Sequence, residues 1–196
     1  MNVDVLLYEG FDELDAIGPY EVFRTAAEAG GDLAASMVTR EPTERVTASH
    51  GLRVEPDGVL GEPDLLVVPG GGWSARNNRG TWGEYERNDL PPLIARRYDH
   101  GATVASVCTG AMLLEKAGIL DGRPAVTHAS ALGDLRETEA NVIEARVVDT
   151  GDVLTAGGVT SGIDLALWLV EREVGEGIAK RVGTTLEYER HEVYRS

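Results

Sequence analysis

Three stretches of this chain share one layout: a short run of apolar β-formers, a breaker, and then apolar residues at helical spacing. "VDVLLY" (3–8) runs into "EGFD", "DLLVVPGGG" (64–72) ends in three glycines, and "TVASV" (103–107) meets "CTGA". Strands that are apolar along their whole length belong to a sheet covered on both faces, because a strand with one wet face alternates apolar and polar residues. Strands separated by helical segments point to a mostly parallel sheet with helices on both sides. In such sheets, binding crevices form where loops leave the carboxyl ends of the strands. The pattern therefore predicts an α/β sandwich whose three unusual loops open on one edge.

The rest of the chain fits this plan. "LDAIGPYEVFRTAAEAGG" reads as a helix closed by Gly30 and Gly31, "LAASMVT" as a strand, and 41–61 as a small hairpin excursion. "GEYERNDLPPLIARRYDHGA" reads as a helix with a proline-marked start, and "GAMLLEKAGIL" and "ALGDLRETEA" as further helices. "PAVTH" reads as a short strand, and "NVIEARVVDTGDVLTAGG" as a hairpin turning at Thr150-Gly151. The segment 160–188 is helical, with a break near Gly175 and Gly177. Without repeats or a linker, residues 1–196 read as a single domain.

Charge narrows the partners. Eighteen basic residues against 33 acidic ones leave the chain at −15. Phosphate backbones and anionic lipid both demand clustered Lys and Arg, so nucleic acid and membrane are excluded as expected partners and a small-molecule substrate remains. Lys116 and Lys180 are the only lysines, and an acidic, lysine-poor surface suits a protein hydrated in concentrated salt. One cysteine forms no intrachain disulfide, the N-terminus lacks a signal-peptide pattern, and no apolar run approaches the ~18 residues of a membrane span. The expectation is a cytoplasmic protein.

That cysteine, Cys108, stands where a strand becomes a helix, with Thr109-Gly110 following. A sharp turn there would expose its side chain above the sheet as a nucleophile elbow, and the helix N-terminus would favour a thiolate. The competing reading is a small buried hydrophobe. Gly70 and Gly71 in "PGGG" let backbone approach a ligand, and the Gly71 and Thr109 amides would form an oxyanion hole. Asp15, before a helical pattern, reads as an N-cap, yet its apolar setting between Leu14 and Ala16 also suits a semi-buried acid sharing a proton with a thiol. His128, ending "PAVTH", is either a general base on the same edge or a group bonded to backbone. No Cys, His and carboxylate set has zinc spacing, so no metal is expected. "LTAGGVTSGIDLAL" lacks phosphate-binding glycine spacing and reads as close helix packing.

"ELDAIGPYEVF", "DLLVVPGGG", "VASVCTGAMLLEKAGILDGRPAVTH" and "LTAGGVTSGIDLAL" together resemble the ThiJ/PfpI superfamily, most closely its isonitrile hydratases, in order and over nearly the whole chain. The resemblance implies a flavodoxin-like fold, a homodimer, no cofactor, a nucleophile at Cys108, an acid at Asp15 and an assisting hydroxyl at Thr109. It maps the "PGG" glycines onto Gly70 and Gly71, the latter as an oxyanion-type amide. The implied reaction is cysteine-dependent addition of water to an isonitrile, giving an N-substituted formamide. Related alternatives are glyoxalase or amidohydrolase chemistry on small carbonyls or amides, and a non-catalytic ligand- or redox-sensing domain. The hydratases carry "THW", whereas Ala129 follows His128 here.

Overall fold

The computed structural model describes residues 1–196. The chain opens with β1 (Asn2–Leu6), α1 (Glu13–Glu28) and β2 (Ala34–Thr39). A β3–β4 hairpin (Val46–Thr47, Arg53–Val54) and β5 (Gly58–Val59) follow, then β6 (Leu65–Val68). Helices α2 (Gly80–Arg87) and α3 (Pro91–Asp99) lead to β7 (Thr103–Val107) and α4 (Ala111–Lys116). A small excursion holds β8 (Pro124–Ala125), α5 (Leu132–Arg136) and β9 (Asn141–Val142). The chain then forms β10 (Val147–Asp149), β11 (Val153–Ala156), α6 (Ser161–Glu173), α7 (Glu176–Thr185) and β12 (Tyr194–Arg195).

Eight strands make one sheet in the order β12-β10-β11-β7-β6-β1-β2-β5. Only β10 and β11 pair antiparallel, in the hairpin expected around Thr150-Gly151. Helices α1, α6 and α7 pack against one another, while α2, α3 and α4 form a second group, and both groups cover the sheet. Every residue of β6 and all of β7 after Thr103 are buried. Burying such a Val or Leu contributes roughly 1.5–3 kcal/mol, so a uniformly apolar run is stable only with both faces covered. The central strands β1, β6 and β7 lie side by side, and their carboxyl ends deliver the three marked loops to one edge.

Four local readings differ from the sequence expectation. The long helix before β7 is two helices, because Asn88 takes a left-handed conformation (φ 56°) at the end of α2 and Pro91 begins α3. "ALGDLRETEA" shortens to a 3₁₀ turn and the five-residue α5. The C-terminal β12, unmarked by any apolar run, pairs beside β10. Asp12, not Asp15, caps α1, its Oδ1 accepting from Leu14 N–H at 3.2 Å. Asp15 is the third residue of the helix, within its first turn, and is fully buried; the cap position is taken by Asp12.

No helix is long and apolar enough to cross a membrane.

Candidate active site

Cys108 directly follows β7 and lies in the left-handed region, at φ 57°. A residue with a Cβ pays roughly 1–2 kcal/mol there, so the turn must be held from outside. Two sets of contacts hold it. Thr127 Oγ1 donates to the Cys108 carbonyl at 3.0 Å, and the following Thr109 is pinned through its hydroxyl by Gly71 N–H at 2.9 Å. Gly70 packs directly on the elbow: a Cβ there would stand 2.5 Å from the Thr109 nitrogen and 2.6 Å from its Oγ1. Gly71, at φ 124°, brings the same loop against the start of α1, where an added Cβ would stand 2.5 Å from the Asp12 nitrogen. The glycine triplet is thus a device for bringing three backbone segments together.

Asp15 enters from α1. Its Oδ2 accepts from Gly70 N–H at 3.0 Å, whereas Oδ1 is buried without a hydrogen-bond partner. Burial, reinforced by the nearby Asp12 charge, pushes the Asp15 pKa up to about 8 despite favourable contacts with the Cys108 thiol and Gly70. Cys108 is only 5% exposed. Burial first, and then the Asp15 charge, raise its thiol well above the ordinary range, although the Thr109 amide works in the opposite direction. Below about pH 8 the resting site therefore holds a carboxylic acid facing a neutral thiol. Desolvation thus opposes the thiolate that the helix N-terminus was expected to favour.

Two further expectations change. The Gly71 amide is spent on the Thr109 hydroxyl and is not free to serve as an oxyanion donor. His128 caps the 3₁₀ turn that follows it, its Nδ1 accepting from Ser130 N–H at 3.2 Å and lying 2.8 Å from Ser130 Oγ. It forms no hydrogen bond with Cys108 or Asp15, and Thr127 beside it is the residue that reaches the elbow. Ala129 is exposed at the start of that turn. Trp73, directly after the glycines, is buried; its Nε1 donates to Asp134 of α5 at 2.5 Å and its ring meets Trp82 edge-on at 5.0 Å.

Sequence reasoning missed Tyr8, Thr81 and Thr127. Tyr8 hides at the end of an apolar strand, and Thr81 lies in a helix with no motif. Tyr8 and Thr127 stood within marked segments, but nothing in those segments pointed to their hydroxyls. Nor did spacing reveal that Asp12, Glu13 and His50 converge, with candidate ligand atoms within 4.8 Å of one another. Glu13 is committed there to the β3–β4 hairpin, accepting from His50 N–H at 2.8 Å and pairing with His50 Nδ1 at 2.7 Å.

The cysteine elbow, the glycine loop and the first turn of α1 all lie within residues 1–172, the span that matches the DJ-1/PfpI family. The chain belongs to that family. It is 32% identical over 191 residues to an isonitrile hydratase of Pseudomonas putida, covering 96% of this chain and 78% of the hydratase. It is also 32% identical over 186 residues to the HTH-type transcriptional regulator CdhR of Pseudomonas aeruginosa, covering 90% of this chain but 52% of the regulator. Among solved structures, a THiJ/PfpI family protein from Pseudomonas syringae superposes with a TM-score of 0.84 at 26% identity, covering 97% of this chain and 76% of that one. The fold is accordingly flavodoxin-like, and the family includes enzymes as well as regulators.

Proposed function

We propose that this DJ-1/PfpI protein is a cysteine-dependent, cofactor-independent hydratase acting on a small organic isonitrile. The observation that carries the reading is the pairing of a buried Asp15, protonated up to about pH 8, with the thiol of an elbow cysteine. The terminal carbon of R–N≡C bears a lone pair and accepts a proton before it accepts a nucleophile. A neutral carboxylic acid beside a thiol supplies both, and no metal or cofactor enters the balance.

The steps close as follows. Asp15 protonates the isonitrile carbon, Cys108 sulfur bonds to that carbon, and the thiol proton returns to Asp15, leaving the thioimidate R–N=CH–S–Cys. Asp15 then protonates nitrogen while water adds to the carbon and gives its proton back to Asp15. Collapse of R–NH–CH(OH)–S–Cys breaks the C–S bond, releases the formamide R–NH–CHO and restores the thiol. Thioimidate formation builds no charge on oxygen, so a committed Gly71 amide is compatible with it. Proton transfer by a positioned acid contributes roughly 10²- to 10⁴-fold. Thr109 positions the sulfur or the incoming water.

Glyoxalase chemistry, in which the histidine takes a larger part, is disfavoured because His128 is turned to Ser130. A small-molecule substrate, a homodimer and a cytoplasmic location belong to the same proposal. The exposed Leu14 of α1 suits a contact with a second copy.

The test is turnover of an aliphatic and an aromatic isonitrile at low and high salt, followed as formamide. Wild type is expected to turn over at least one, and Cys108→Ala neither. No formamide from wild type at any salt concentration rejects the hydratase.

A further inference from the structure

Behind the elbow, Thr109 ends a chain of hydroxyl groups whose other members the proposed chemistry has not used. Tyr8 Oη stands 2.6 Å from the Pro69 carbonyl and 3.0 Å from Thr81 Oγ1, and Thr81 Oγ1 stands 3.1 Å from Thr109 Oγ1. Tyr8 is 6% exposed, Thr81 0% and Thr109 3%, so bulk water is shut out of the chain.

Counting hydrogens fixes its direction. A carbonyl only accepts, so the one Tyr8 hydrogen is donated to Pro69. Tyr8 Oη must then accept from Thr81, which spends the Thr81 hydrogen. Thr81 must in turn accept from Thr109, which spends the Thr109 hydrogen. Gly71 N–H occupies one Thr109 lone pair. What remains on Thr109 is a single lone pair, on an oxygen that lies with its own amide nitrogen over Gly70. Gly70 N–H is the group that holds Asp15.

We propose that Tyr8 and Thr81 are positioning residues that lock the Thr109 hydroxyl as a hydrogen-bond acceptor at the Cys108 elbow. Thr109 then neither donates to the sulfur nor delivers a proton; it receives a hydrogen bond, the role that orients an attacking water. Pro69 is the stop that gives the chain one direction, and Tyr8 transmits it. This assignment rests on Cys108 being the reacting group of the hydration proposed above. Removing the phenol hydroxyl leaves Thr81 without its acceptor, and both threonine hydrogens become free to turn. A released Thr109 hydroxyl, one residue from the thiol, stabilises the thiolate and makes Cys108 easier to ionise.

Wild type, Tyr8→Phe, Thr81→Val and Thr81→Ser are compared by the pH profile of iodoacetamide alkylation, with circular dichroism as the check on folding. Cys108 is the only cysteine, so alkylation reports on it alone. At each pH below the midpoint the alkylation rate is expected to rise about tenfold in Tyr8→Phe and Thr81→Val and to stay at the wild-type value in Thr81→Ser, which keeps the hydroxyl. With isonitrile, the two shifted variants are expected to lose about tenfold in kcat at unchanged KM. A wild-type profile in Tyr8→Phe, or a Thr81→Ser profile shifted as far as that of Thr81→Val, overturns the assignment. Should Thr81→Val fail to fold, Tyr8→Phe against wild type decides alone. If wild type turns over no isonitrile, the hydratase reading fails, and the alkylation profiles still decide the hydroxyl chain.

Discussion

Asp15 on α1 and Asp164 on α6 lie on two helices that pack together, and both are 0% exposed. Their surroundings are opposite. Asp164 meets Arg146 through Nε at 2.8 Å and Nη2 at 2.7 Å, Tyr188 Oη at 3.2 Å, and the His191 backbone N–H at 2.8 Å. Asp15 has one backbone donor and an oxygen with no partner, with the Cys108 thiol close enough to influence its charge. Equal burial therefore produces a structural clamp in one case and a carboxyl group that keeps its proton to about pH 8 in the other. Asp164 ties the C-terminal segment 188–191 and the strand-entry Arg146 to α6, whereas Asp15 is kept short of partners beside the one group able to react with it. Burial alone does not set the role of a carboxyl group; the number of donors reaching it does.

The contrast breaks most visibly at the clamp. Asp164→Asn removes the charge opposite a half-buried Arg146 and loosens 188–191, and is expected to cost about 3 kcal/mol in urea denaturation. Isonitrile turnover per folded molecule should be unchanged. An unaltered midpoint would mean that the clamp contributes nothing to stability.

The mirror-image substitution should act with opposite sign. The folded-state pKa of Asp15, about 8, lies above its ordinary 3.8. Between those values the unfolded chain has released the proton that the folded chain still holds, so stability falls as pH rises through that window and levels off above about 8. The linkage cost is on the order of 4 kcal/mol at pH 7, an upper bound for a site that relaxes. Asp15→Asn keeps an acceptor for Gly70 and should gain about 2 kcal/mol at pH 7 with a flattened stability–pH curve. Turnover should drop by roughly 10²- to 10⁴-fold, and the wild-type rate should decline above about pH 8, where the acid is lost. A variant that is both less stable and fully active would erase the distinction between the two aspartates.

A smaller effect is expected at Glu13, where α1 meets the β3–β4 hairpin. Partial burial opposes its ionisation, but hydrogen bonds from His50 and from the Leu52 backbone prevail and hold its pKa at about 2. Its contribution is present above the ordinary 4.5 and is lost as pH falls toward 2. Glu13→Gln should cost about 1 kcal/mol at pH 7 and leave acid sensitivity between 4.5 and 2 reduced, read by denaturation at stepped pH.

How far the sequence reached follows from what kind of interaction each feature depends on. Continuous apolar runs at β1, β6 and β7, each followed by a breaker, required strands covered on both faces and loops gathered on one edge. The elbow at Cys108 and the glycines at Gly70 and Gly71 were legible because backbone demands leave residue-type signatures. The split at Asn88 was not, since the helical pattern runs through it and only the backbone there turns left-handed. β12 escaped because an edge strand of two exposed residues carries no apolar alternation.

Asp15 and Cys108 were marked by their positions and the Thr109 hydroxyl by the family resemblance, but their states were not legible. Whether an amide such as Gly71 is free or spent, whether His128 faces a thiol or Ser130, and whether a carboxyl group holds its proton depend on neighbours from other parts of the chain. Order along the sequence determined which groups stand at the edge of the sheet, because strand patterns and glycine turns are local. The fold alone decided how many donors reach each of them, because desolvation and hydrogen-bond partners are set by three-dimensional packing.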